Sequence, residues 1–244
     1  MDQTQNDHLK AYGLIYSVLK KQIQIEWLLN YKNGSFLLDN NNIIEKEALI
    51  RGITFYNVNS SEINTIYETI NNNNMDIALL EKAPEIAVYS PDNKQPWDDA
   101  VTLALTYAEI EYDIIFDHEV LTGELSKYDW LHLHHEDFTG QYGKFYKSYR
   151  NTNWYRKLES DFNKCASDHG YSSVHKLKKG VALKIKEYVL SGGFMFAMCS
   201  ATDSFDIALA AHDVDIASSV FDGTPIDNNY KSKFTLRYYF IFNF

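Results

Sequence analysis

The stretch from Ser191 to Ala211, SGGFMFAMCSATDSFDIALAA, constrains the fold more than any other part of the chain. Gly192 and Gly193 end the lysine-bearing segment before it, because glycine gives up the most backbone freedom in a helix. Phe194 to Met198 is an apolar run of strand length, and the small residues Cys199, Ser200 and Ala201 open an amphipathic segment. The order is strand, sharp turn, helix. In an open α/β sheet such a turn lies at the carboxyl edge, where ligands bind and helix N-termini offer N–H groups to anions. A tight turn that displays a nucleophile needs small residues two positions to either side, and Ala197 and Ala201 fill those places around Cys199.

The preceding chain reads as α/β throughout. Periodicity predicts a helix over 8–22 capped by Asn6 or Asp7, a strand over 23–29, the turn Asn33-Gly34 and an extended piece over 35–38. A helix from Asn40–Asn42 to about Arg51, a strand over 53–58 and a helix capped by Ser60 or Ser61 follow, closed by the Asn71 to Asn74 run. This alternation predicts a mostly parallel sheet covered on both faces. The chain opens on a helix where such units open on a strand, so Met1 and Asp2 read as the remnant of one.

The second run is strand 85–89, polar loop 90–96, helix 97–109 with Asp98 and Asp99 in its first turn, strand 112–116, helix 120–126 and strand 129–134. Residues 138–173 change texture to Gly, Tyr, Lys, Asn and Trp and read as a helical insertion, a lid or a surface for a protein partner, with a helix near 154–166. Val174 to Leu190 is a helix whose Lys176, Lys178, Lys179, Lys184 and Lys186 read as a solvated face. A short strand is expected over 212–216, and the β-prone tail from Phe234 to Phe244 stops abruptly, as in a truncated chain. The expected fold is a doubly wound, mostly parallel α/β sheet, with an N-terminal α/β portion at 1–83 and a second α/β domain at 84–244.

Charge and composition bound the partners. The net charge of −10 over 244 residues gives nucleic acid or an anionic membrane no electrostatic attraction, which favours a small-molecule ligand. No apolar run approaches the roughly 20 residues that span a bilayer. The opening MDQTQND lacks leader architecture, so the chain as it stands reads as cytoplasmic, with export open if a segment precedes it. Two cysteines, Cys165 and Cys199, exclude a disulfide framework or a four-cysteine zinc site, and no cofactor is indicated.

Cys199 is the first candidate for chemistry. Helix N-terminal N–H groups favour its thiolate and can hold an oxyanion, the N–H of Ser200 first among them. The competing reading is a small buried residue where strand meets helix. A base would come from His134 or His135 at a neighbouring strand end, since His212 lies three turns away down the following helix. Around the same edge Asp92, Glu136, Asp137 and Asp203 are candidate ligand contacts, Asp203 otherwise serving the helix dipole. In DWLHLHHEDF, His132 and His134 share one strand face ahead of Glu136 and Asp137. That H-x-H-x-E-D resembles the H-x-H-x-D-H of metallo-β-lactamase-like hydrolases, an alternative metal-dependent reading that lacks the final histidine.

The stretch GGFMFAMCSATDSF resembles the class I glutamine amidotransferase-like, flavodoxin-like fold, in which a strand ends in G-x-C-x-G and the cysteine attacks an amide. The resemblance runs from Pro84 to about Ile216 and implies a cysteine-dependent amidase with Cys199 as nucleophile; both glycines are alanines here, and no histidine and acid pair follows before Phe244. The stretches HLKAYGLIYSVLKKQIQIEWLLNYKNGSFLL and YDWLHLHHEDFTGQYGKFY are similar to a bacterial group labelled asparagine synthetase B. The residues do not support ATP-dependent asparagine synthesis: Asp2 stands where those enzymes place a cysteine, and Ser191-Gly192-Gly193 continues as Phe194-Met195-Phe196 without the pyrophosphate-loop Asp and Ser. The alternative to a hydrolase is a non-catalytic binding or scaffold protein that keeps the fold.

Overall fold

The computed structural model describes residues 4–91, 100–143 and 146–234. The chain divides into two compact units, Met1–Pro84 with Asp99–Glu111, and Glu85–Asp98 with Tyr112–Phe244. No helix among the described residues is long and apolar enough to cross a membrane.

The first unit comprises α1 (His8–Leu19), β1 (Ile25–Leu29), β2 (Ser35–Leu37), α2 (Asn42–Ile50), α3 (Ser60–Asn72), β3 (Asp76–Leu80) and α4 (Ala100–Ala108). Asp7 caps α1 by accepting the Lys10 N–H at 3.0 Å, and Asn59 caps α3 in a reciprocal box with Glu62. Its three strands run in the order β2-β1-β3 with both pairings antiparallel, which corrects the expectation of a parallel sheet here. The reason is local. Residues 30–34 connect β1 to β2, a hairpin length, whereas a parallel pair needs a crossover of roughly a dozen residues or more. Residues 53–58 form no strand, and β3 takes the third place instead, setting Ala78 opposite Trp27. Phe55 and Tyr56 stay exposed there, so β-prone side chains without a pairing edge do not make a strand. A Cβ on Gly13 of α1 would stand 1.6 Å from the Ala108 carbonyl oxygen of α4, so this helix pair closes only around glycine.

The second unit comprises β4 (Ile86–Tyr89), β5 (Asp113–Ile115), α5 (Asp117–Leu121), β6 (Trp130–Leu133), α6 (Tyr146–Tyr149), α7 (Asn153–Asp168), α8 (Val174–Leu190), β7 (Phe194–Ala197), α9 (Ser200–Ala210) and α10 (Ser219–Asp222). Its sheet order is β5-β4-β6-β7 and every pairing is parallel, with Tyr89 opposite Ile115 and Leu133, and Leu133 opposite Ala197. All four carboxyl ends therefore meet at one edge. Alternate residues Ala87, Tyr89, Leu131 and Leu133 pack one face against Val181, Ala182 and Ile185 of α8 and Phe205, Ala208 and Leu209 of α9. Each large aliphatic or aromatic side chain buried there contributes roughly 1.5–3 kcal/mol. At the β7 end the other face is open, with Phe194 and Phe196 exposed.

In the insertion, Tyr155, Leu158 and Phe162 of α7 pack against Val174 and Leu177 of α8 and against Phe116 at the end of β5. The lysines of α8 are not one solvated face: Lys176 and Lys184 are exposed, but Lys178 and Lys179 are buried. Residues 212–216 form turns, not a strand, because α9 runs into a capped bend at Ala211. The positions expected for Asp98 and Asp99, the candidate contact Asp92, and the tail beyond residue 234 lie outside the described residues.

Candidate functional site

The turns after β6 and β7 are tied together. Parallel pairing continues past the strands through the Met198 N–H, which donates to the Leu133 carbonyl at 2.9 Å, and the Ala201 N–H, which donates to that of His134 at 3.2 Å. The Ser200 hydroxyl then donates to the His135 carbonyl at 2.9 Å, and that of Ser204 to the Glu136 carbonyl at 3.0 Å. The candidates Cys199, Ser200, His134, His135 and Glu136 thus occupy one corner of the sheet edge.

Cys199 is the N-cap of α9 and has φ 53° and ψ −136°. A side chain at positive φ with extended ψ is strained by roughly 1–3 kcal/mol. The strain comes from turning a strand into a helix within one residue, which lifts the side chain off the edge, as in a nucleophile elbow. The thiol is exposed, which sets aside the reading of a small buried residue. Among the described residues the thiol makes no hydrogen bond, and the Ser200 N–H at the helix start donates to none. The free N–H lies one residue from the sulfur, where a developing oxyanion would need it.

The histidines differ. His134 is buried and its ring stacks on that of His135 with centroids 3.5 Å apart, while His135 lines a shallow cleft. Glu136, Gln141, Tyr142, Trp154 and Phe162 also line this cleft, so the insertion forms its far wall. Asp137 borders the cleft, but its Oδ1 accepts the N–H groups of Thr139, Gly140 and Gln141 and the Thr139 hydroxyl, so it shapes the loop over 137–141. Asp203 is exposed in the first turn of α9, where its charge complements the helix dipole. His132 is buried within the sheet, stacked on Phe196 and edge-on to Trp130. Among the described residues, the group of three side chains able to hold a metal includes neither His132 nor His134.

Behind this edge lies a buried polar group built around Lys178, a residue expected on a solvated face. Lys178 of α8 places its ammonium 2.9 Å from both Asp117 carboxylate oxygens and 3.0 Å from the Tyr89 hydroxyl, which itself donates to Asp117. The ammonium also sits over the rings of Phe116 and Phe162 at 4.3 and 4.2 Å. Burial, together with the Asp117 charge, holds the Tyr89 phenol well above its usual range. These groups join β4, α5, α7 and α8. The signal for Lys178 was present: it falls on the helical stripe of Val174, Leu177, Val181 and Ile185, so its phase put it in the core.

No family model matches the chain, and comparison with curated proteins and with solved structures gives no significant match.

Proposed function

We infer that the second unit is a flavodoxin-like, amidotransferase-like domain whose Cys199 hydrolyses a small amide or ester at the carboxyl edge. The observation that carries this is the backbone of Cys199, an exposed thiol held at φ 53° on a strand-to-helix turn. The strand order supports the fold. Numbered within the sheet, β5-β4-β6-β7 reads 2-1-3-4, the order that opens a flavodoxin-like sheet. The switch point lies between β4 and β6, beside the cleft that His135 and Glu136 line.

In the reaction the imidazole of His135 takes the Cys199 proton and the thiolate attacks the carbonyl carbon. The oxyanion receives the Ser200 N–H. Collapse expels the amine or alcohol, which takes the proton from the imidazolium, and leaves a thioester. His135 then deprotonates a water that attacks the thioester, breaking the C–S bond and restoring the thiol. A second reading, ligand binding without chemistry, is favoured by one observation: the thiol has no hydrogen-bonded base among the described residues.

The test is ammonia release from a panel of small carboxamides, with intact-mass detection of adducts by chloroacetamide analogues. Expected is release lost in Cys199→Ala and strongly reduced in His135→Ala, with His134→Ala and Cys165→Ala active. Release that persists in Cys199→Ala removes the assignment, and tight carboxamide binding without release selects the second reading.

A further inference from the structure

A different cluster lies where the start of α8 meets the chain after α9. The His175 Nδ1 is 3.0 Å from Asp215 Oδ2, and the Thr224 hydroxyl donates to the same oxygen at 2.6 Å. Asp222, the last residue of α10, accepts the Thr224 N–H on Oδ1 at 3.0 Å. One ligand atom from each of His175, Asp215 and Asp222 lies within 4.8 Å of the others. Asp215 and Asp222 are only 3% and 2% exposed, and Oδ2 of Asp222 is buried and receives no hydrogen bond from any donor among the described residues.

Such an arrangement is costly as it stands. Two carboxylates are buried side by side, and an unsatisfied buried charged oxygen costs several kcal/mol. Lys179 is buried close enough to be favoured by the Asp215 and Asp222 charges, but its ammonium donates to the Val214 carbonyl and makes no ion pair with either carboxylate among the described residues. Burial, reinforced by the adjacent Asp215 carboxylate and opposed by the Thr224 N–H, pushes Asp222 up to about 6.

We propose that His175, Asp215 and Asp222 bind one divalent transition-metal ion, Zn²⁺ or Mn²⁺, with the Thr224 hydroxyl or a water completing the shell. An imidazole nitrogen among carboxylates selects these ions over Mg²⁺ and Ca²⁺, which prefer oxygen alone. The ion neutralises both carboxylates, takes the free Oδ2 and fastens the segment over 211–227 onto α8. The ligands come from the first turn of α8, the chain after α9 and the end of α10, so one ion would tie these three parts together. The site reaches the sheet edge through contact: a Cβ on Gly140 would stand 2.5 Å from the His175 Cα, so the loop held by Asp137 lies against it.

The experiment is calorimetric titration of chelator-treated full chain with ZnCl₂, MnCl₂ and MgCl₂, read beside thermal melts. Expected is one equivalent of Zn²⁺ or Mn²⁺, a gain in Tm on binding, and affinity at least about tenfold weaker in Asp222→Asn and His175→Ala. Metal-free Asp222→Asn is expected to melt above metal-free wild type, because it removes the buried charge. Equal affinity in wild type and Asp222→Asn overturns the proposal. So does no binding below about 1 mM, or loss of binding in His118→Ala, whose ring lies 2.9 Å from His169 at the surface. The readout is independent of any chemistry at Cys199.

Discussion

The Lys178 ammonium and the Asp117 carboxylate meet at 2.9 Å with each side chain 1% exposed, and they lock the start of α5 to the second turn of α8. Removing one partner leaves the other charge buried, so Lys178→Met is expected to cost about 3–5 kcal/mol. Lys178→Met with Asp117→Asn should recover a large part of that loss. Urea denaturation of the single and double variants gives the coupling directly.

The strain at Cys199 has a separable consequence. Glycine tolerates positive φ, so Cys199→Gly is expected to raise stability by about 1 kcal/mol, whereas Cys199→Ala keeps a Cβ in the same backbone and gains little. Both variants lose the thiol. A melt in which alanine and glycine are equal would show that the turn is relaxed.

The two thiols should react at different rates. Burial pushes Cys165 from 9.0 up to about 11, with the nearby Asp117 charge adding to it, while Cys199 is exposed. At about pH 8 this lowers the thiolate fraction of Cys165 by a factor on the order of 100 from what a pKa of 9.0 would give, so burial and thiol protonation both slow it and disulfide-reagent labelling should show one fast and one slow phase. The fast phase is expected to vanish in Cys199→Ala and the slow one in Cys165→Ala.

Alkaline pH should weaken the second unit through Tyr128. Partial burial, helped by its hydrogen bond to Asp113 at 3.0 Å, raises the phenol from 10.0 to about 12. The folded state therefore favours the neutral phenol. Its contribution is whole below about pH 10 and is lost as pH rises towards about 12, because the unfolded chain releases the proton first. Tyr128→Phe should show a shallower loss of stability across that window in denaturant titrations followed as a function of pH.

The elbow was legible because it is local. Gly192 and Gly193, the apolar run and the small residues Ala197, Ser200 and Ala201 specify strand, turn and helix from neighbouring side chains alone, and the helix over 174–190 follows from its own period. The burial of Lys178 was legible in the same period, yet its charge masked it. Other features needed the assembled chain. Whether β1 pairs with β2 and β3 or a segment over 53–58 joins them is decided by partner edges that local pattern does not encode. The meeting of His175 with Asp215 and Asp222 spans 40 residues or more of chain, closed by the packing of α9 and the bend after it. Sequence by itself determined the strands β4 to β7 of the second unit and the turn that displays Cys199, because backbone preference and hydrophobic period act within a few residues. Only the tertiary structure decided which charged groups would be enclosed together, because burial and charge partnership depend on elements distant in the chain.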